Sequence, residues 1–185
     1  MPHIHTGKGQ HDMTISAYIM REFDGEWLCL VHMHKKFGKL LQVGGHIELT
    51  ETPWSALIHE VREEAGYDQD QLTVLQMAPL APHGQSILHP VPINFNTHRV
   101  NDTHYHSDLG YACIVQEDPR HEILPPESPD IRWLTIRQLE QTQLKGEALF
   151  DVVDAYKDIL ENILPTATRV PAIVFSISEP DKIPV

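Results

Sequence analysis

The stretch from Gly45 to Tyr67, GHIELTETPWSALIHEVREEAGY, restricts the fold of this chain more than any other segment. Glu60, Glu63 and Glu64 fall at i, i+3 and i+4, so on a helix their Cβ atoms share one face, about 5–6 Å apart. Three carboxylates held that close repel one another unless a cation lies among them, and a hard divalent ion with oxygen ligands suits the set. The plainer alternative is a solvated acidic face, with Arg62 and His59 making surface pairs of little energetic weight. The flanking residues favour a built unit. Thr52 suits an N-cap and Pro53 the first helical position. Ala56, Leu57, Val61 and Ala65 recur at helical spacing with Trp54 and Ile58 nearby, and Gly66 suits the C′ position. Ahead of the helix, Val43-Gly44-Gly45 predicts a strand entering a tight glycine turn, where backbone can approach a ligand closely. Such a unit points to metal-assisted chemistry on phosphates.

With Glu51 added, the segment resembles the Nudix box. Gly45 takes the first glycine and Glu51 the next fixed glutamate. Glu60, Val61, Glu63, Glu64 and Gly66 follow at the family spacing, and Tyr67 fills the closing apolar place. The family arginine is replaced by His59. Tyr18-Ile19-Met20, Leu28 to Val31 and Ile131 to Leu134 resemble flanking strands, so the likeness spans roughly residues 12 to 145. It implies an α+β fold, an α/β/α sandwich around a mixed sheet. It also implies hydrolysis of a pyrophosphate bond in a nucleoside diphosphate derivative or a nucleoside triphosphate, with Mg2+ or Mn2+. By the same resemblance Glu60, Glu63 and Glu64 are metal ligands and catalytic groups, and the Gly45 carbonyl reaches a metal. Glu51 orients, while Gly44 and Gly66 are structural. One of the glutamates, or a carboxylate from a later loop, helps deprotonate water. Glu117 and Glu122, in an acidic run with Asp118, are the loop candidates, against a default of a solvated loop.

His59 stands where the family arginine braces a catalytic glutamate. Histidine donates fewer hydrogen bonds and is only partly charged near neutrality. Either it braces more weakly or the chain binds a nucleotide with weak or no turnover. The intact carboxylate set favours an enzyme. A third class, a non-hydrolytic enzyme such as an isopentenyl diphosphate isomerase, needs a catalytic cysteine. Cys29 and Cys113 each sit inside apolar strand-like runs, which predicts buried reduced thiols.

Length and charge set the remaining bounds. At 185 residues the chain is expected to form one domain, with a core over about 12–145 and a C-terminal helix and strand-like tail over 146–185. A net charge of −12 argues against binding nucleic acid or anionic membranes but not against a nucleotide held through metals. No stretch is long enough to span a membrane and the N-terminus lacks a signal-peptide core, so a cytoplasmic location is the default.

Strands are expected over 13–22, 27–32, 40–43, 72–77, 91–98 and 104–115, with turns at Asp24-Gly25 and Asn101-Asp102. Residues 79–92 and 116–129 read as proline-rich irregular segments. Helices are expected over 136–143 and 147–163, and a last strand within 168–178 that could cross to a partner subunit in a homodimer. The 13 histidines include the pairs His3/His5, His32/His34 and His104/His106, which share a face on a strand. Most are expected to be plain imidazoles, with zinc the minority alternative. His106 or Tyr105 is a candidate to touch a base or phosphate, and Lys35, Lys36 and Lys39 are candidates to meet substrate phosphates.

Overall fold

The structure is a computed structural model in which residues 7–78, 87–175 and 177 are described. The chain opens with a long strand, β1 (His11–Phe23), that turns through Asp24-Gly25 into β2 (Glu26–His34). Both turn residues have positive φ, 51° and 79°, which lets a two-residue hairpin follow the twist of its strands. β3 (Lys39–Leu41) returns along β2, but β4 (Val43–His46) pairs with β1. The single strand expected over 40–43 is therefore broken. β1 pairs with β2 from Met20 onward and with β4 over Thr14–Ala17, so the chain crosses between partners at Gln42. The Gln42 side chain donates to Ser16 Oγ at 2.8 Å across that gap.

Helix α1 (Pro53–Ala65) follows, then β5 (Thr73–Gln76), β6 (Asn94–Asn101), β7 (His104–Ile114) and β8 (Ile131–Thr135). Helices α2 (Ile136–Leu144) and α3 (Phe150–Asp158) and strand β9 (Thr168–Pro171) complete the order. β7 runs parallel to β1 and antiparallel to β5 and β6, so the sheet is mixed.

Alternation along the strands separates two cores. Ile15, Ala17, Ile19, Tyr111 and Cys113 face α1 with Trp54, Leu57 and Val61. Tyr18, Met20, Cys29, Ala112 and Ile114 face Leu139 of α2 and Val152, Val153 and Tyr156 of α3. This is the α/β/α sandwich expected from the sequence. Trp54, Leu57 and Val61 are wholly buried, and each such side chain contributes about 1.5–3 kcal/mol, so packing clamps α1 to the sheet. On the other face, Tyr156 Oη accepts from the Ile19 amide at 3.2 Å, at the point where β1 changes partners. Cys29 and Cys113 are free, buried and in opposite cores, as the expectation of reduced thiols requires.

Three differences from the sequence reading have local causes. The helix expected from 147 starts at Phe150, because the Leu40 amide donates to the Glu147 carbonyl at 2.8 Å and holds that turn extended. Its last part, Ile159–Ile163, widens into a π-turn. Residues 168–171 pair with β5 of their own chain, so this part of the tail is already used as a strand. Residues 79–86 of the proline-rich segment, and His3 and His5, lie outside the described residues. Among the described residues no helix is long and apolar enough to cross a membrane.

Candidate active site

The caps of α1 fix where its glutamates point. Thr52 Oγ1 accepts from the Ser55 amide at 3.1 Å, and Ser55 Oγ accepts in return from the Thr52 amide at 2.9 Å. Reciprocal capping of this kind satisfies two donors that the first turn leaves open. At the other end Gly66 takes φ 75°, and its amide donates to Arg62 O at 3.1 Å. The Gly66 carbonyl accepts from the Arg120 and His121 amides at 3.0 and 3.1 Å. A Cβ there would lie 2.3 Å from His121 O, so glycine lets the 116–129 segment dock against the helix end.

Gly44 and Gly45 differ from the expected turn: both lie in β4, opposite Ser16 and Ile15. Their reason for being glycine is contact rather than chain reversal. A Cβ on Gly44 would sit 2.2 Å from Ile15 O, and one on Gly45 would sit 1.9 Å from Glu60 Oε1. The reversal comes later, at Leu49-Thr50. β4 is therefore a bare strip on which the α1 carboxylates rest.

Glu64 is buried, with Oε2 accepting from the Gly44 amide at 3.0 Å. Burial pushes its carboxyl up to about 9; Glu60 raises it too, the Gly44 amide opposes, and Glu127 raises it further. Burial likewise lifts Glu60 to about 7, against the opposing charge of His59 and with help from Glu63, Glu127 and Glu51. His32 Nε2 stands 3.5 Å from Glu64 Oε2, but burial and then His34 pull this imidazole down to about 4, so near neutrality it brings no countercharge. Among the described residues no lysine or arginine side chain pairs with Glu60 or Glu64.

His59 bridges two other carboxylates. Its Nδ1 is 3.0 Å from Glu51 Oε1 and its Nε2 is 3.1 Å from Glu63 Oε1. Burial lowers its pKa, but hydrogen bonds to Glu51 and Glu63 outweigh that and raise it, consistent with a donor on each ring nitrogen. Glu51 Oε2 also accepts from the Glu48 amide at 3.2 Å, which closes the bend before α1. His59 thus holds Glu63, itself half exposed, from the solvent side.

The loop carboxylate that reaches this group is Glu127. Its charge raises the carboxyls of both Glu60 and Glu64. Glu117 instead pairs with Arg120 at 3.1 Å, Asp118 with Arg21 at 3.2 Å, and Glu122 is exposed. Lys35 Nζ donates to the backbone carbonyls of Pro126 and Glu127, the second at 2.8 Å, and so holds this loop over the site. Lys39 Nζ is bound to the Gly146 carbonyl, and Lys36 lies over the Phe37 ring. Tyr105 and His106 point to opposite faces of β7. Tyr105 lines a cleft with Gly9, Gln10, His11 and Thr97. His106 lies beside His46, His98 and His104, where burial and then those imidazoles lower it to about 4.

Glu127 and His32 escaped the sequence reading. His32 carried only its i, i+2 relation to His34. Glu127 lay in a run of acids and prolines whose path depends on Lys35 and on Gly66, neither visible as a local signal.

The chemistry of the donor set fits a hard divalent ion. Glu60, Glu64 and Glu127 offer oxygen only, and burial first, then the neighbouring carboxylates, disfavour the ionised forms of Glu60 and Glu64, a cost that a bound cation would relieve. The family model of the NUDIX domain matches residues 10–155. No curated protein matches. A NUDIX-family hydrolase from Clostridium perfringens superposes with a TM-score of 0.64 at 24% identity, over 81% of this chain and 96% of that one. An Ap4A hydrolase from C. elegans, solved as a binary complex, gives 0.58 at 16% identity over 80% and 97%. The NUDIX domain of Shewanella oneidensis NrtR, complexed with ADP ribose, gives 0.58 at 14% identity over 82% and 88%. These likenesses carry the fold, and the match over residues 10–155 carries the kinship: this chain belongs to the NUDIX family of pyrophosphohydrolases.

Proposed function

We propose that the protein hydrolyses a phosphoanhydride bond in a nucleoside diphosphate derivative, with Mg2+ or Mn2+ held by Glu60, Glu63 and Glu64 and by the Gly45 carbonyl. The observation that carries this reading is the convergence of Glu60, Glu64 and Glu127 above the bare β4 strip with no lysine or arginine paired to Glu60 or Glu64. A divalent ion there neutralises a pyrophosphate and lowers the pKa of bound water. Gly44 holds Glu64 through its amide, and Gly45 leaves room for Glu60. His59, braced by Glu51, orients Glu63. Glu127 is the loop carboxylate placed to take a proton from attacking water, and Lys35 keeps its backbone in position. The Tyr105 cleft offers an aromatic wall to a base. Two similar structures, one an Ap4A hydrolase and one complexed with ADP ribose, support that substrate class here.

The test is product release from a panel of nucleoside diphosphate derivatives, dinucleoside polyphosphates and nucleoside triphosphates, with magnesium and with chelator. Magnesium-dependent cleavage of at least one class is expected. The half-exposed His59 bridge in place of an arginine favours a second reading, a nucleotide-binding module of weak or no activity. Tight binding of a panel member with no turnover would select it.

A further inference from the structure

On the sheet face turned away from α1, four side chains converge from three neighbouring strands. Asp12 of β1 is registered against His106 of β7, and His46 of β4 against Thr14 of β1. His104 lies two residues before His106 and shares its face. The ligand atoms of His46, His104 and His106 all lie within 4.8 Å of one another. Asp12 Oδ2 is 3.4 Å from His104 Nε2 and 3.8 Å from His46 Nε2.

We propose that Asp12, His46, His104 and His106 form a second metal site, for a zinc-class divalent cation in tetrahedral N3O coordination. It is distinct from the carboxylate site on α1 and does not depend on it.

The burial pattern asks for a cation. Asp12 is 4% exposed and its Oδ2 has no hydrogen-bond partner; His104 is 5% exposed and its Nε2 has none either. An isolated carboxylate out of water is costly. A plain Asp–His hydrogen bond would relieve it, yet both imidazoles stop short of one, at distances beyond the usual 2.7–3.2 Å. The His104 nitrogen and the Asp12 oxygen, facing each other without a hydrogen bond, are arranged as donors around a common centre. With metal–nitrogen bonds of about 2.0–2.1 Å, tetrahedral donors stand about 3.3 Å apart. The Asp12–His104 separation, 3.4 Å, is close to that value and Asp12–His46 is 3.8 Å, while the three imidazoles, within 4.8 Å of one another, need side-chain movements of about 1 Å. The neighbouring carboxylate, Asp108, accepts from Thr14 Oγ1 at 2.8 Å, whereas Asp12 Oδ2 faces His104 and His46. Three imidazoles and one carboxylate favour zinc, cobalt or nickel over magnesium, the reverse of the all-oxygen set on α1. A cation here ties β4 to β7 across β1, immediately after Gly45.

The test uses Co2+ as a spectroscopic probe for zinc, added to chelator-treated protein with excess Mg2+ present to occupy the carboxylates. One equivalent per chain should give the intense visible bands of tetrahedral cobalt and be displaced by Zn2+. Zn2+ should also raise Tm. Co2+ affinity should fall by at least about 100-fold in His106→Ala, at or above the range for loss of a mere orienting partner. Glu63→Gln should keep the bands, which separates this site from the active site whatever that variant does to hydrolysis. His46→Ala, at a partly exposed position, is a second variant, and the wild-type spectrum decides the coordination without either. Only weak six-coordinate absorption in the wild type, or bands that persist in folded His106→Ala and His46→Ala, would overturn the proposal.

Discussion

Stripped of divalent ions, the protein should lose stability as pH rises from 7 to 9, and Glu64 should be the main cause. Its carboxyl has an ordinary value of 4.5 and stands at about 9 in the fold, raised first by burial and then by Glu60. A raised pKa means that the folded state holds a proton the unfolded chain has given up. The stability linked to that proton is fully present below 4.5 and is lost as pH climbs through about 9. Each pH unit over which one such excess proton persists costs about 1.4 kcal/mol. Glu64 keeps most of its proton across 7 to 9, so its share of the loss is about 2 kcal/mol. Glu60, at about 7, adds a smaller amount at the start of the interval. His32 and His106 sit at about 4 and are neutral in the fold throughout. The assay is urea unfolding in chelator at pH 7, 8 and 9 for the wild type and Glu64→Gln. The glutamine can still accept from the Gly44 amide but cannot ionise, so its stability should fall less by about 2 kcal/mol. The buried thiols of Cys29 and Cys113 are common to both proteins and cancel. Parallel curves for the two proteins, or a wild type that gains stability with pH, would refute the reasoning. Magnesium added at pH 9 should restore the wild type and leave Glu64→Gln nearly unchanged.

Other substitutions probe single contacts. Gly45→Ala places a Cβ where Glu60 Oε1 now lies, 1.9 Å away, and should cut kcat by about 100-fold with the fold intact by circular dichroism. Glu127→Gln removes the loop carboxylate beside Glu64 and should lower kcat by about 10²–10⁴-fold, the range for a lost acid–base group, with a smaller effect on KM. His59→Arg should keep or raise activity in a steady-state assay, because a guanidinium reaches both Glu51 and Glu63 with permanent charge.

The parts of the fold that could be read in advance rest on short-range rules. Thr52, Pro53 and Gly66 delimit α1 because capping is a contact between residues three or four apart, and Asp24-Gly25 sets the hairpin through its own φ angles. The alternation over 13–22 marked β1 as a strand for the same reason. What escaped depends on distant partners. Gly44 and Gly45 looked like turn residues, yet their constraint comes from Ile15 and from Glu60. The break at Gln42 follows from how β1 divides its length between β2 and β4. Glu127 cannot be told from Glu117 or Glu122 by composition; Lys35, 92 positions away from it, brings it in. The histidines were visible as i, i+2 pairs, but the meeting of His46 with His104 and His106 needs the strand order β4-β1-β7.

Metal-dependent hydrolysis by carboxylates on one face of α1 is tested most directly by the magnesium-supported cleavage rate of Glu63→Gln beside the wild type, on whichever nucleoside diphosphate derivative the wild type cleaves fastest. Magnesium-dependent turnover is expected in the wild type and a near-complete loss in the variant, with the variant folded. Equal rates in the two proteins, or wild-type cleavage that persists in chelator, would contradict it.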